Sequence, residues 1–211
     1  MPSGEMEFRR QLVECMASLV SQGLMTGTGG NASVRLKGSN EVLITPSGIY
    51  KASLKPEDIV KIDLEGNIVE GEYRPSIEWH FHTAIYRKRA DAMAVLHAHS
   101  PYTTGLALAG RRVEPVTIEA VMVLGDVPII EFMYPGTDEL GDAVGNAMMD
   151  HKAAILLNHG VVTAGRDLAE AITVAEVLEA TSKVTFVASH FGGARLIPPD
   201  RIELIKKLNK V

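Results

Sequence analysis

Three histidines occupy positions from which they could bind one metal ion. His97 and His99 close a predicted buried strand, Ala92–His97, and residues two apart on a strand point to the same face. His159 ends a second apolar strand, where Gly160 permits a turn and a close backbone approach. A lone strand-end histidine is usually only a polar side chain. The repeated arrangement, however, favours three ligands with one open position, which is typical of catalytic zinc.

A carboxylate, Glu78, comes early in a helix predicted from Pro75-Ser76 to about Lys88. By itself a first-turn carboxylate is explained by the helix dipole. Beside a metal site it can instead serve as a fourth ligand or as a general base. His82 in the same helix either orients neighbouring groups or packs beneath the site, and the sequence leaves both roles open.

Two short turns rich in glycine and hydroxyl residues have the composition of anion-binding loops. They are Thr28–Asn31 and Thr45–Gly48, and their backbone N–H groups are not covered by bulky side chains. Ser76 adds a helix N-terminus, where free N–H groups and the dipole favour phosphate. Neither turn matches a Walker A loop or a dinucleotide fingerprint, so the sequence does not predict a nucleotide site.

Composition limits the class of protein. A chain of 211 residues is long enough to bury its own core, and we expect one domain over residues 1–211. The net charge of −5 disfavours a nucleic-acid partner. The single cysteine, Cys15, excludes an intrachain disulfide and is expected in the core. Without an apolar run of about 20 residues or an apolar block near the start, we expect no membrane span and a cytoplasmic location.

The elements that must position these residues follow from periodicity. An N-terminal helix carries Phe8, Leu12 and Leu19 at helical spacing and ends near Gly23. Residues from Val113 to Glu131 resemble two strands with a turn at Gly125-Asp126. Further strands are expected at Ala32–Leu36, Val42–Thr45, Ile59–Asp63 and Ala153–Leu157, and further helices at Pro101–Leu108, Thr137–Asp150, Asp167–Ser189 and after Pro198-Pro199. Without a strict βαβ period, this mixture predicts an α/β protein of three α/β/α layers around a mixed, mostly antiparallel sheet.

Together these segments resemble the class II aldolase/adducin-like family. The resemblance covers about residues 8 to 190 in family order. The matching motifs are Gly30-Asn31 with Ser33-Val34-Arg35, Thr45-Pro46-Ser47-Gly48, Pro75-Ser76 with Glu78 and His82, His97-Ala98-His99, and Asn158-His159-Gly160.

The resemblance implies an activity and a cofactor. The activity is the reversible cleavage of a short ketose 1-phosphate, similar to L-fuculose 1-phosphate, to dihydroxyacetone phosphate and an aldehyde such as lactaldehyde. The cofactor is Zn²⁺, and Co²⁺ or Mn²⁺ also suit imidazole ligands. Its implied ligands are His97, His99 and His159, with Glu78 binding zinc in the empty enzyme and acting as base afterwards.

The resemblance also implies a substrate cradle and an assembly. Phosphate binding falls to Gly30, Asn31, Ser47, Gly48 and Ser76. The assembly is a homotetramer with four-fold symmetry and active sites between subunits. The metal site at the strand ends would be open to water without a lid, so we expect a neighbour's segment after Pro198-Pro199 to cover it. The apolar face of that segment consists of Ile202, Leu204, Ile205 and Leu208.

Two departures from the family pattern keep the exact reaction open. Ile77 replaces a second phosphate-binding serine, and Glu119, in the segment Thr117–Ala120, stands near the family's proton-donating tyrosine. Glu119 is the candidate replacement acid. The alternatives are a sugar-phosphate 4-epimerase, a tetronate-type decarboxylase, a methylthioribulose-phosphate dehydratase, or a non-catalytic adducin-like interaction module.

Overall fold

The computed structural model describes residues 3–208, and these form one eight-stranded sheet with helices on both faces. The outer ends of the domain predicted over residues 1–211 lie outside this range, as does the side chain of Leu208. The strands are β1 (Asn31–Arg35), β2 (Glu41–Ile44), β3 (Val60–Asp63), β4 (Ile68–Glu70), β5 (Ala94–Ala98), β6 (Ile129–Ile130), β7 (Ala153–Leu156) and β8 (Gly160–Gly165). The helices are α1 (Ser3–Ser21), α2 (Trp79–Lys88), α3 (Pro101–Leu108), α4 (Ile118–Val123), α5 (Asp138–Ala147), α6 (Leu168–Ser189) and α7 (Pro199–Leu208).

The sheet is mixed and mostly antiparallel, as predicted. Its strand order is β4-β3-β2-β1-β5-β8-β7-β6, and the β6–β7 pair is the parallel one. One apolar core packs α1, α4 and α6 against one face, and a second packs α2 and α5 against the other. The three-layer α/β/α architecture is therefore confirmed. Cys15 lies buried in the first core, where burial raises the pKa of its thiol to about 12.

Strand alternation in β5 decides which face carries the chemistry. Leu96 and Ala98 point into the core on the α1 and α6 side, whereas Val95 points into the core beneath α2. His97 shares the face of Val95, because side chains two apart lie on the same side. The strand thus directs His97 toward the start of α2, which is where Glu78 lies.

The region from Val113 to Glu131 differs from the prediction. It contains the helix α4 and the two-residue strand β6 rather than two strands. Thr117 caps α4 by accepting a hydrogen bond from the backbone N–H of Ala120 at 3.1 Å. This cap satisfies a free helical N–H and allows a six-residue helix to form in a β-branched segment.

Helix ends elsewhere follow their capping residues. Thr137 caps α5 as predicted, and Asp167 caps α6 by accepting from Glu170 N. The predicted helix from Pro75-Ser76 begins later, at Trp79, so Glu78 is its N-cap residue instead of lying in its first turn. Within residues 3–208, no helix is long and apolar enough to cross a membrane.

Candidate metal and substrate site

The three predicted histidines meet at one end of the central strands. His97 is the penultimate residue of β5, His99 follows that strand, and His159 lies in the three-residue connection from β7 to β8. One ligand nitrogen from each lies within 4.8 Å of the other two. Ring centroids are 4.9 Å apart for His97–His99, 4.6 Å for His97–His159 and 5.4 Å for His99–His159.

The backbone around each histidine is shaped to allow this approach. Asn158 adopts a left-handed conformation with φ of 63°, which turns the chain so that His159 faces β5. Gly29 stands against the ring of His99, where an added Cβ would lie 2.8 Å from the ring. Gly160 stands against β5, where an added Cβ would lie 2.3 Å from the carbonyl oxygen of Ala98.

Hydrogen bonding fixes the tautomer of His97. Its Nδ1 lies 2.9 Å from the carbonyl oxygen of Val161, and since a carbonyl only accepts, Nδ1 carries the proton. The Nε2 lone pair of neutral His97 therefore faces the cluster, 3.0 Å from Nε2 of His99. A second-sphere carbonyl of this kind is the usual way in which a metal-binding histidine is oriented.

All three imidazoles favour the neutral form. Burial, with a smaller effect of His99, lowers the pKa of His97 to about 3. Burial lowers the pKa of His99 as well, although the carboxylate of Glu78 opposes this. Burial and His97 lower the pKa of His159 to about 4. A metal ion requires deprotonated ligand nitrogens, and this cluster presents them at neutral pH.

Glu78 completes the cluster from α2 and is only 6% exposed. Its Oε2 accepts a hydrogen bond from Asn31 Nδ2 at 2.8 Å and lies 3.4 Å from His97 Nε2. Its Oε1 lies 3.4 Å from His159 Nε2 and has no hydrogen-bond partner although it is buried. An unpartnered buried carboxylate oxygen is costly unless a cation or a proton satisfies it. Three neutral imidazoles and this oxygen therefore fit a divalent cation.

The segments predicted to bind phosphate also come together beside Glu78. An isolated bridge pairs Pro46 with Pro75, which brings the Thr45–Gly48 turn against Ser76. The start of β1 joins the same turn, because Ala32 N–H donates to the Thr45 hydroxyl at 3.2 Å. The predicted residues Gly30, Asn31, Ser47, Gly48 and Ser76 thus lie on three adjoining segments.

Backbone hydrogen bonds limit which donors in these segments are free. The N–H of Ser47 donates to Arg74 O, and the N–H of Ser76 donates to Thr45 O, each at 3.0 Å. These two residues therefore offer their hydroxyls rather than their backbone N–H groups. The side-chain NH₂ group of Asn31 already donates one hydrogen to Glu78, and its side-chain oxygen accepts from His82. One hydrogen of the NH₂ group therefore remains free.

Glu119 is not brought to this cluster. It lies exposed in the first turn of α4, and within residues 3–208 no hydrogen bond or ion pair joins it to the three histidines or Glu78. Its catalytic role stays a prediction.

Sequence reasoning missed a buried lysine beneath the cradle. Lys51 is 1% exposed, its Nζ donates to Pro46 O at 2.6 Å, and its N–H donates to Gly27 O. It therefore connects the two glycine-rich turns. Its only sequence signal is its position three residues after Gly48, and a lysine in a polar loop is usually exposed.

Comparison with known proteins identifies the family. The sequence model described as Class II Aldolase and Adducin N-terminal domain matches residues 10–186. The chain belongs to this family. The predicted resemblance is thereby confirmed, and the protein is an enzyme of the class II aldolase superfamily. Class II aldolases depend on a metal, and here the histidine triad is the group that could hold it.

Similar proteins carry several different names. The 5-deoxy-D-ribulose 1-phosphate aldolase of Bacillus thuringiensis serovar kurstaki is 35% identical, over 94% of this chain and 93% of that protein. The 3-oxo-tetronate 4-phosphate decarboxylase of Haemophilus influenzae is 37% identical, over 83% and 85%. A solved structure of L-fuculose 1-phosphate aldolase superposes with a TM-score of 0.89, at 35% identity and 96% coverage of both chains. Relatives that share this fold thus act on different phosphorylated substrates.

Proposed function

We propose that the protein is an aldolase that cleaves a short ketose 1-phosphate to dihydroxyacetone phosphate and an aldehyde. L-Fuculose 1-phosphate, which would give lactaldehyde, and similar deoxyketose phosphates are the candidate substrates. The observation that carries the proposal is the buried, unpartnered Oε1 of Glu78 beside three neutral histidines. It supports a cation site at the histidines, with a carboxylate that could exchange a proton beside the candidate phosphate cradle.

The metal is proposed to be Zn²⁺ held by His97, His99 and His159, with Glu78 as the fourth ligand before substrate binds. Co²⁺ and Mn²⁺ also accept such ligands. When bound, a divalent cation supplies Lewis-acid stabilisation of the negative charge that develops on the substrate oxygens.

The proton transfers are assigned to two carboxylates. In cleavage, the C4 hydroxyl of the ketose loses its proton and the C3–C4 bond breaks, so that the aldehyde leaves. Glu78, carrying a proton, then delivers it to C3, and dihydroxyacetone phosphate is released. In condensation Glu78 removes that proton. Glu119 is the candidate group that exchanges the proton of the C4 hydroxyl.

The phosphate is proposed to bind Gly30, Asn31, Ser47, Gly48 and Ser76. The two hydroxyls, the remaining Asn31 hydrogen and the exposed Gly48 turn are the available donors. This cradle would hold the phosphate without a positively charged side chain in direct contact.

A second candidate reaction is decarboxylation of a phosphorylated oxo-acid, favoured by the 37% identical relative with that name. It would use the same metal residues and the same cradle. The proposal further includes a single domain over residues 1–211, a cytoplasmic location and a homotetramer.

The decisive experiment combines metal analysis with a substrate panel. We expect about one zinc ion per chain after purification without added metal, and release of dihydroxyacetone phosphate from one or more ketose 1-phosphates. Carbon dioxide release from a phosphorylated oxo-acid, with no ketose cleavage, would select the second candidate. Full activity of metal-free protein would overturn both, and equal turnover of the unphosphorylated ketose would overturn the phosphate cradle.

A further inference from the structure

A chain of buried hydrogen bonds runs behind Glu78, away from the metal site. Asn31 Oδ1 lies 2.5 Å from His82 Nε2, and His82 Nδ1 lies 2.7 Å from the hydroxyl of Ser33. The Ser33 hydroxyl in turn lies 2.7 Å from the hydroxyl of Tyr86, whose single proton is shared between the hydroxyl oxygen of Ser33 and its main-chain oxygen, the latter at 3.0 Å. The side chains of His82, Ser33 and Tyr86 are fully or almost fully buried.

The direction of every hydrogen bond in this chain follows from Glu78. Its carboxylate only accepts, so Asn31 must present its NH₂ group to Glu78 and its oxygen to His82. That oxygen only accepts, so His82 must carry its proton on Nε2. His82 Nδ1 is then an acceptor, and it receives the proton of the Ser33 hydroxyl. Without the Nε2–H donor, the side-chain amide of Asn31 would be held by its hydrogen bond to Glu78 alone.

The consequence concerns which oxygen of Glu78 is free. Asn31 holds Oε2, whereas Oε1 is left without a hydrogen-bond partner and lies toward His159. A proton-transferring group must be held within hydrogen-bond reach of the carbon that it serves. A rigid donor on one oxygen leaves the other oxygen for that task.

We propose that His82 is a positioning residue for proton transfer: through Asn31 it locks the Glu78 carboxylate with Oε1 directed at the substrate carbon. This inference rests on the proposed function. It assigns His82 no contact with substrate and no change of its own protonation.

The test isolates the step that Glu78 carries out. NMR follows the exchange of a hydroxymethyl proton of dihydroxyacetone phosphate with deuterated solvent. This carbon becomes C3 of the ketose, and no aldehyde is added. His82→Leu removes both ring nitrogens. His82→Gln keeps the polarity, because its oxygen can accept from Ser33 and its NH₂ group can donate to Asn31. Thr163→Val is the matched control, since it removes one buried hydrogen bond, to Ala171 O, on β8.

We expect His82→Leu to lower kcat for exchange at least about 10-fold, part of the 10²–10⁴-fold effect of a general base. The bound zinc should change less than about 3-fold, and the rise in KM for dihydroxyacetone phosphate, which comes from the loosened Asn31 in the phosphate cradle, should stay smaller than the fall in kcat. His82→Gln should recover most of the rate, and Thr163→Val should lose stability but not exchange. A purely structural role for His82 would instead lower stability and leave exchange per folded molecule unchanged.

Two outcomes are distinguishable. Exchange in folded His82→Leu within 3-fold of wild type, or a His82→Gln variant as slow as His82→Leu, would overturn this inference alone. Absence of exchange in the wild-type holoenzyme would overturn the proposed function, and the inference with it. If His82→Leu does not fold, His82→Asn keeps a polar partner for Ser33 but is too short to donate to Asn31, and unchanged exchange in that variant would also overturn the inference.

Discussion

Glu78 differs from an ordinary helix-capping carboxylate in what its two oxygens do. An N-cap side chain normally accepts a hydrogen bond from the second or third backbone N–H of its helix. Glu78 occupies the N-cap position of α2 but makes no such bond. Its oxygens face Asn31 and the histidines instead. The helix therefore starts without a side-chain cap, and the carboxylate is available for chemistry.

Replacing this carboxylate by its amide tests its role directly. Glu78→Gln keeps the shape and can still accept from Asn31, but it cannot take up a proton from carbon. We expect kcat for dihydroxyacetone phosphate formation to fall about 100-fold or more, with zinc content and melting temperature close to wild type. A variant that keeps more than about a tenth of the wild-type kcat would show that Glu78 is not the base.

Residue types and spacing predicted the convergence of His97, His99 and His159, because strand alternation and strand ends are readable from a sequence. They did not predict the partners behind the site. Ser33 and Tyr86 are ordinary strand and helix residues in the sequence, and only the β1–α2 packing brings them to His82. Long-range partners of this kind depend on the sheet order, which local patterns do not encode.

Lys51 is the buried group for which the fold makes a clear pH prediction. Burial lowers the pKa of its ammonium to about 8, although the charge of Glu78 opposes this shift. In the unfolded chain the pKa is near 10.5. Between these values the unfolded chain binds more protons than the folded one, so the free energy of unfolding rises with pH.

The wild type should therefore gain about 2 kcal/mol of stability relative to Lys51→Met between pH 7 and pH 9.5, because each pKa unit is worth about 1.4 kcal/mol. Urea denaturation at both pH values measures this difference. Lys37→Met, at an exposed lysine, is the control and should show no such trend. A pH-independent difference between wild type and Lys51→Met would contradict the assigned burial cost.

At the scale of elements, the predicted strands and helices around the site are confirmed, and the errors lie where tertiary pairing decides. The strand β8 was missed because Gly160 and Gly165 at its ends suggest turns, although β8 pairs with both β5 and β7. The segment containing α4 was wrongly predicted as strand because Ile118–Val123 is too short to show a helical period. The edge strand β4 was missed for lack of any buried face.

The contact between β8 and β5 gives an element-scale prediction. Gly160 begins β8, and a Cβ there would lie 2.3 Å from the backbone oxygen of Ala98 and 3.1 Å from the ring of His97. Gly160→Ala must push the two strands apart at the metal site. We expect a loss of about 1–3 kcal/mol in unfolding free energy, typical of overpacking, together with weaker zinc binding.

Gly105→Ala is the matched control for this change. Gly105 lies within α3 and has open space where its Cβ would be, so alanine should stabilise the helix by about 0.5–1 kcal/mol. Urea titration and metal analysis of both variants provide the measurement. Equal stability and zinc content in the two variants would contradict the close approach of β8 to β5.

At the scale of the whole molecule, the question is what lies against α4. The helix α7 packs against α4 of its own chain, with Ile202 and Ile205 half-buried there and Leu204 exposed. The sequence predicts that this segment covers the active site of a neighbouring subunit. Within residues 3–208, its contact is instead with α4 of its own chain. Glu119 on α4 is exposed, and within residues 3–208 no hydrogen bond or ion pair joins it to the histidine cluster of its own chain. In the proposed tetramer we expect it to serve the site of a neighbouring subunit.

Several large apolar side chains are exposed in a way that suits an assembly. Ile118 on α4 is 61% exposed, and Phe132 and Tyr134, which are 54% and 73% exposed, contact each other with ring centroids 5.5 Å apart. Exposed apolar side chains that lie together mark interaction surfaces. A cyclic arrangement repeats one heterologous interface and closes on itself. The proposed tetramer would bury such side chains and bring α4 of each subunit to its neighbour. Light scattering should then give a mass near four times the 22.8 kDa chain mass.

Subunit mixing tests whether sites are shared. Glu78→Gln and Glu119→Gln should each lower kcat at least about 100-fold as homotetramers. In equal, randomly mixed tetramers, about a quarter of the sites would combine an intact Glu78 with an intact Glu119 from the neighbour, because each choice has a chance of about one half around a heterologous ring. Mixing after mild dissociation should therefore restore about a quarter of wild-type activity. A shared site would be contradicted by a fully active monomer, or by mixtures that light scattering shows to be tetrameric but that recover no activity. A fully active Glu119→Gln protein would show that Glu119 is not the acid.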